Sequence, residues 1–188
     1  MKRSLSLQAY GLFTSLLFRA DTPPSIMRSR FERFGYVSRE AMLRKHPRLV
    51  FGDHRHHGLS IESVCAIEGP ACVVIHLHGG AFLFGSAASY RNRAMRLSFR
   101  LGAEVFLPDY RLAPEHPFPA ALDDALAAYH YVRALRPNVP IFLTGDSAGG
   151  GLVLSVLIRL RELGLPQPRG AIMLSPWTDL LCLRAVGR

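Results

Sequence analysis

Apolar residues occur along the chain in two patterns, as short continuous runs and at helical spacing. Each pattern predicts a different kind of element. Short runs that are apolar at nearly every position predict strands buried on both faces, at 71–77, 103–107, 140–144 and 171–174. Between them, apolar residues at helical spacing predict helices at 87–101, 120–135 and 148–163. Because parallel strands need crossover connections, this alternation predicts an α/β fold with a mostly parallel sheet and flanking helices.

The N-terminal part of the chain predicts helices. Apolar residues at helical spacing within 5–18 predict an amphipathic helix, which is too short to cross a membrane and has no signal-peptide cleavage site. This helix either packs on the rest of the molecule or lies on a membrane surface. A breaker at 21–24 follows, and 25–47 is a second basic helical region.

Two extended segments, 49–53 and 59–67, follow these helices and are separated by the polar run 54–58. We therefore divide the chain into an N-terminal helical cap or arm, 1–47, and an α/β domain, 48–188. A chain of 188 residues has room for one ordinary domain with a core, which excludes a multidomain machine.

The charge of the chain is strongly positive but unevenly placed. The formal net charge is +9, and residues 1–57 hold 11 basic and 4 acidic residues, so the remainder is nearly neutral. All the basic residues except Lys2 and Lys45 are arginines, which indicates a compositional bias. No groove-reading motif accompanies the charge, so we do not expect nucleic acid as a partner.

The three cysteines, Cys65, Cys72 and Cys182, are odd in number and have no C-x-x-C spacing, which predicts neither a disulfide framework nor a zinc knuckle. A reducing, cytoplasmic location fits this pattern. The histidine-rich run 53–57 has no distant partner, so it predicts a solvated hairpin rather than a metal site.

The segment 145–150, GDSAGG, joins the predicted strand at 140–144 to the helix at 148–163. A serine at such a sharp turn has a strained backbone that exposes its hydroxyl, and small residues two positions away on either side allow the turn to close. A glycine-rich turn with a bystander serine is the alternative, and a phosphate loop lacks its lysine here. Ser147 is therefore a candidate nucleophile.

A second glycine-rich segment, HGGAF at 78–82, follows the first apolar strand. Acyl transfer passes through a tetrahedral oxyanion, and glycines let a loop direct its N–H groups at that oxygen. Gly79 and Gly80 are the candidate donors, with the N–H of Ala148 as a third.

Four motifs in this order and spacing resemble the hormone-sensitive-lipase-like family of α/β-hydrolase esterases: HGGAF (78–82), DYRLAPEHPFPAALDD (109–124), GDSAGG (145–150) and SPWTD (175–179). The resemblance implies an α/β-hydrolase fold, a small-molecule ester as substrate and no cofactor. It implies that Ser147 is the nucleophile, that Gly79, Gly80 and Ala148 hold the oxyanion, and that His78 supports the oxyanion loop.

The segment 109–124 has a structural interpretation of its own. Asp109 and Arg111 are spaced to pair near the end of a strand, and the prolines between them and the next helix stiffen the loop. Asp123 and Asp124 fall in the early turns of that helix, where its dipole favours acidic side chains. We expect these residues to be part of the scaffold.

The family's acid and histidine would follow the serine in chain order, yet after Ser147 the only acidic residues are Glu162 and Asp179, and His130 is the last histidine. We therefore expect a partial hydrolase domain whose C-terminal strands are missing, with the strand at 171–174 at an open edge. Two functions follow: a serine carboxylesterase, or an inactive fragment or small-molecule-binding relative that lacks the base.

Overall fold

A computed structural model describes residues 22–180, so the helix predicted within 5–18 and Cys182 lie outside the described residues. The described part contains five helices and six strands. The helices are α1 (Pro24–Gly35), α2 (Arg39–Lys45), α3 (Ala87–Leu101), α4 (Ala120–Leu135) and α5 (Ala148–Glu162). The strands are β1 (Val50–His56), β2 (Leu59–Cys65), β3 (Cys72–Leu77), β4 (Ala103–Pro108), β5 (Ile141–Asp146) and β6 (Gly170–Leu174).

The six strands form one sheet in the order β1-β2-β4-β3-β5-β6. The neighbours β4, β3, β5 and β6 are mutually parallel, whereas β2 is antiparallel to both β1 and β4. The expectation of a mostly parallel sheet with flanking helices is confirmed. Within residues 22–180, β6 has one neighbouring strand and forms the open edge that the sequence predicts.

Helices cover both faces of the sheet. Val73 and Ile75 of β3 pack on one face with Tyr129 of α4 and Val153 of α5. Val74, between them in sequence, faces the other side and belongs to a second cluster that includes Ala94 of α3. All six side chains are almost completely buried, which explains why the central strands are apolar at consecutive positions. No helix within the described residues is both long and apolar enough to span a membrane.

The basic helical region predicted at 25–47 contains two helices. Gly35 ends α1, and the hydroxyl of Ser38 accepts the N–H of Ala41 to start α2. Arg28 of α1 donates from Nε to the Leu83 carbonyl at 2.6 Å, which holds α1 over the loop that follows β3. The division into cap and α/β domain stays a prediction.

The predicted turn at 54–58 is shorter in the structure, because β1 continues through His56. Only His57 and Gly58 turn the chain, both with positive φ. The ring of His54 lies within 3.1 Å of the hydroxyls of Tyr131 and Ser63, so a polar residue of the run packs against the α4 side of the sheet. The described residues contain no group of three or more side chains placed to hold a metal ion.

Candidate active site

Ser147 connects β5 to α5 and has a backbone conformation that L-residues rarely adopt, with φ 53° and ψ −122°. Such strain persists only where the surroundings enforce it, and it is frequent at functional sites. The side chain is exposed. Because α5 begins at the next residue, the serine stands at the positive end of a 15-residue helix.

Close backbone approach explains the glycines on either side of the serine. A Cβ on Gly145 would lie 2.4 Å from the Gly149 carbonyl oxygen, and a Cβ on Gly149 would lie 2.1 Å from the Leu77 carbonyl oxygen. These distances leave no room for any side chain. The turn therefore brings the start of α5 directly against the end of β3.

The segment after β6 fixes the serine from the other side. The N–H of Ser147 donates to the Leu174 carbonyl, and the N–H of Trp177 donates to the Ser147 carbonyl, both at 2.9 Å. A Cβ on Gly151 would lie 2.3 Å from the Trp177 carbonyl oxygen, so this segment packs on the backbone of α5. Both backbone polar groups of Ser147 are thus occupied.

The loop after β3 is strained as well. Gly80, Ala81 and Phe82 all have positive φ, at 124°, 54° and 60°. The Gly80 carbonyl accepts the N–H groups of Leu83 and Phe84, which closes the loop on itself. Within the described part of the chain, no acceptor occupies the N–H of Gly80 or Ala81.

His78 is buried at the base of this loop, where its Nδ1–H donates to the Gly79 carbonyl at 2.8 Å. Its ring stacks on Tyr110 with centroids 4.2 Å apart, and the Tyr110 hydroxyl donates to the His78 carbonyl at 2.6 Å. Burial lowers the pKa of His78 to about 4. A neutral, enclosed ring of this kind is suited to support the loop.

Asp146, the neighbour of the candidate nucleophile, links the loop to α3. Its carboxylate accepts from the Tyr90 hydroxyl and from Arg93, each at 3.0 Å, and lies 3.5 Å from Nε2 of His76. Burial alone would raise the pKa of Asp146, but His76, Arg93 and Tyr90 together bring it below its ordinary value. The same burial raises the pKa of Tyr90.

The contacts of Tyr90 correct one predicted role. The N–H of Gly79 donates to the Tyr90 hydroxyl at 3.0 Å, so it points into the scaffold and is not free to hold an oxyanion. The prediction that Gly79 is an oxyanion donor conflicts with this contact. Tyr90 was missed by the sequence analysis because it lies on α3, eleven residues further along, with no motif of its own.

A cavity of about 310 Å³ opens beside the loop. Ala81 and Phe82 line it from the loop, Leu152 from α5 and Trp177 from the segment after β6. The cavity is at the lower end of the range of small-ligand pockets, and its apolar walls suit a hydrocarbon group. His116 also lines it, which makes His116 the one histidine of residues 22–180 that lies at this cavity.

The loop 109–119 has a different ion pair from the predicted one. Arg111 pairs with Asp124 of α4 through two donors at 2.8 and 2.9 Å. Asp109 instead accepts the N–H of Ala87 at the start of α3, at 2.6 Å. The expected pairing of Asp109 with Arg111 is therefore wrong, because each residue meets a partner from a different helix.

Within residues 22–180 no side chain is hydrogen-bonded to the Ser147 hydroxyl. His76 is buried with its Nδ1 2.8 Å from the Thr144 hydroxyl, and His78 is held as described above. The described residues therefore combine a strained serine, a loop in which two N–H groups have no acceptor among them, and an apolar cavity, and none of their side chains is hydrogen-bonded to the serine hydroxyl.

These features define an α/β hydrolase in which a serine follows the fifth strand. A family model described as the alpha/beta hydrolase fold matches residues 74–186, and the chain belongs to this family. The resemblance to hormone-sensitive-lipase-like esterases is confirmed by the relatives.

Among the curated relatives, an acetyl-hydrolase of Streptomyces hygroscopicus is 44% identical over 112 residues, which are 58% of this chain and 37% of the relative. A solved hormone-sensitive lipase from a metagenome library is 30% identical with a TM-score of 0.78, over 90% of this chain and 56% of that one. The esterase EstE5, soaked with p-nitrophenyl butyrate, is 37% identical with a TM-score of 0.75, over 87% and 54%. The chain thus spans little more than a third of that curated relative and about half of the solved ones.

Proposed function

We propose that this chain carries the nucleophile and the oxyanion loop of a serine carboxylesterase. The observation that carries the proposal is the strained, exposed Ser147 at the start of α5, beside a loop in which the N–H groups of Gly80 and Ala81 have no acceptor among the described residues. Ester hydrolysis needs these two parts within reach of one carbonyl group.

The proposed oxyanion donors are the N–H groups of Gly80 and Ala148, joined by Ala81 in place of Gly79. Ala148 is the first residue of α5, where the N–H has no partner within the helix. Gly80 and Ala81 have the strained backbone of the loop, which His78 supports from below. Three such donors would stabilise the negative charge that develops on the carbonyl oxygen.

In the proposed reaction, Ser147 Oγ attacks the ester carbonyl carbon, and the alcohol leaves as the acyl-enzyme forms. The serine proton must pass to a base and then to the leaving alcohol, and a water molecule later releases the acid. The base is a group outside the described residues, and the apolar part of the ester occupies the cavity at Phe82 and Leu152. General base catalysis is worth about 10² to 10⁴ in rate, so the chain alone would turn over slowly.

Hydrolysis of a short-chain p-nitrophenyl ester tests the proposal, with and without added imidazole as an external base. We expect slow hydrolysis that imidazole accelerates, and we expect Ser147→Ala to lose both the slow rate and the acceleration. The matched control is Ser29→Ala, which removes an exposed hydroxyl of α1 and should match the unmodified chain. Equal rates in Ser147→Ala and the unmodified chain would refute the assignment.

A small-molecule-binding protein that does not hydrolyse esters is the second candidate. The Ser147 hydroxyl has no base among the described residues, and this observation favours it. A non-hydrolysable amide analogue of the ester would then bind, and binding would be lost on Leu152→Trp, which fills the cavity. This candidate would be favoured over the esterase if the amide binds and the ester is not hydrolysed either with or without imidazole.

A further inference from the structure

A second cavity lies at the opposite end of the sheet from Ser147. It has a volume of about 300 Å³ and is formed where α4 ends and where β5 and β6 begin. Ser147 follows the other end of β5, a strand of six residues, so about 20 Å of strand separates the serine from this cavity. Nothing in the proposed ester chemistry uses this second cavity.

Three arginines line this cavity, Arg133 and Arg136 from the end of α4 and Arg169 from the residue before β6. Arg136 is neutralised by Glu104, with donor distances of 2.9 and 3.2 Å. In the described part of the chain, no carboxylate pairs with Arg133 or Arg169. The lining therefore has two arginines without a carboxylate partner among the described residues and one arginine already held in place.

The rest of the lining includes three prolines and a segment tied down by a backbone hydrogen bond. Pro137, Pro140 and Pro168 form part of the wall, and a proline fixes its own backbone angle. The N–H of Arg169 donates to the Ile141 carbonyl at 2.7 Å, which ties the loop before β6 to the start of β5. A preorganised wall reduces the ordering that a bound molecule would otherwise require.

Basic residues at the end of a helix have an ordinary explanation, because they offset the negative end of the helix dipole. That explanation covers Arg133 and Arg136, which are in or directly after the last turn of α4. It does not cover Arg169, which is outside any helix and yet contributes to the same cavity. Arginines from two separate segments therefore line one cavity.

We propose that this cavity binds a phosphoryl group. A planar guanidinium offers paired donors that match the oxygens of a phosphate, and two arginines supply the charge that a phosphate dianion requires. The group could belong to a soluble phosphate ester or to a phospholipid headgroup, because both present the same oxygens to the arginines.

Isothermal titration of the 188-residue chain with inorganic phosphate tests the proposal. We expect saturable binding that weakens about tenfold or more in the double variant Arg133→Gln/Arg169→Gln. The matched control is Arg96→Gln/Arg100→Gln, which removes the same charge from α3, outside the cavity. We expect this control to stay within about twofold of the unmodified chain.

Equal weakening in both double variants would show general attraction to a basic protein and would overturn the proposal, as would the absence of saturable phosphate binding. Sedimentation with phosphatidylcholine vesicles, with and without phosphatidic acid, then identifies the source of the group. Binding to phosphatidic acid that the cavity variant loses assigns a headgroup, and phosphate binding without vesicle binding assigns a soluble ester. Ser147→Ala should bind phosphate as the unmodified chain does, so this result is independent of the esterase test.

Discussion

At the scale of single residues, the turn at Ser147 requires a residue without a side chain at position 149. The carbonyl oxygens of Leu77 and His78 lie 2.1 and 2.4 Å from the position where a Cβ of Gly149 would be. Both oxygens belong to the backbone at the end of β3 and directly after it, so neither can move without a shift of that backbone. The close contact of β3 with α5 places the loop that follows β3 beside the serine.

We therefore predict that Gly149→Ala lowers the free energy of unfolding by about 3 kcal/mol or more, because backbone atoms must shift. Urea unfolding followed by circular dichroism measures this. The control is Gly164→Ala, a position with φ 64° and nothing within 4 Å of the added Cβ, where the cost is about 1 kcal/mol. A loss in Gly149→Ala no larger than in the control would contradict the packing described here.

The residues that meet across the fold were the hardest to predict. Ser147 and the HGGAF loop have local signals, because a strand, a glycine-rich turn and a helix follow one another in sequence. Tyr90 has no such signal, although its hydroxyl joins Gly79 to Asp146. The partner of Arg111 was misassigned for the same reason, since Asp124 approaches only after α4 has packed.

At the scale of elements, the predicted bounds of α3 and α4 agree with the structure. Ser86 caps the first turn of α3, and Gly102 ends it with φ 61°, so both ends carry local signals.

The basic stretch at 25–47 was predicted as one region because its break, at Gly35 to Ser38, is short. The C-terminal end of β1 was predicted too early because its last residues are polar. His54 gains its hydrogen-bond partners only from β2 and α4.

The open edge at β6 gives a prediction about self-association. Ile172 and Leu174 are 58% and 53% exposed on this strand, and an unpaired apolar edge is a template for pairing with another chain. We expect Ile172→Lys to reduce concentration-dependent light scattering several-fold, because a charged edge disfavours strand addition. Ile158→Lys, on the exposed side of α5, is the control and should leave scattering unchanged. Reduced scattering in both variants would implicate general solubility instead of the edge.

At the scale of the whole molecule, two imidazoles lie where the sheet meets the helices, and their burial couples the stability of the fold to pH. Burial lowers the pKa of both His76 and His78, in the second case to about 4. An unfolded histidine has a pKa of about 6.5. Between these values the unfolded chain binds protons that the folded chain does not, so acidification favours unfolding.

We predict that His78 alone lowers the free energy of unfolding by about 3 kcal/mol as the pH drops from about 6.5 to about 4. Denaturant unfolding at a series of pH values measures the loss, and His78→Gln should flatten it while exposed His130→Gln should not. Titration of the His78 ring by NMR checks the cause directly and does not depend on a variant that folds. A ring that titrates near its ordinary value would contradict the prediction.

The hydrogen bonds of Ser147 have a consequence for how the protein is made. Its N–H and its carbonyl are bonded to Leu174 and Trp177, which are synthesised some thirty residues later. Strands β3, β4 and β5 can pair earlier, as the chain leaves the ribosome from its N-terminus. The serine acquires its final conformation only after residue 177 has emerged, so in a nascent chain stalled before that point β3, β4 and β5 can be paired while Ser147 still lacks these two hydrogen bonds.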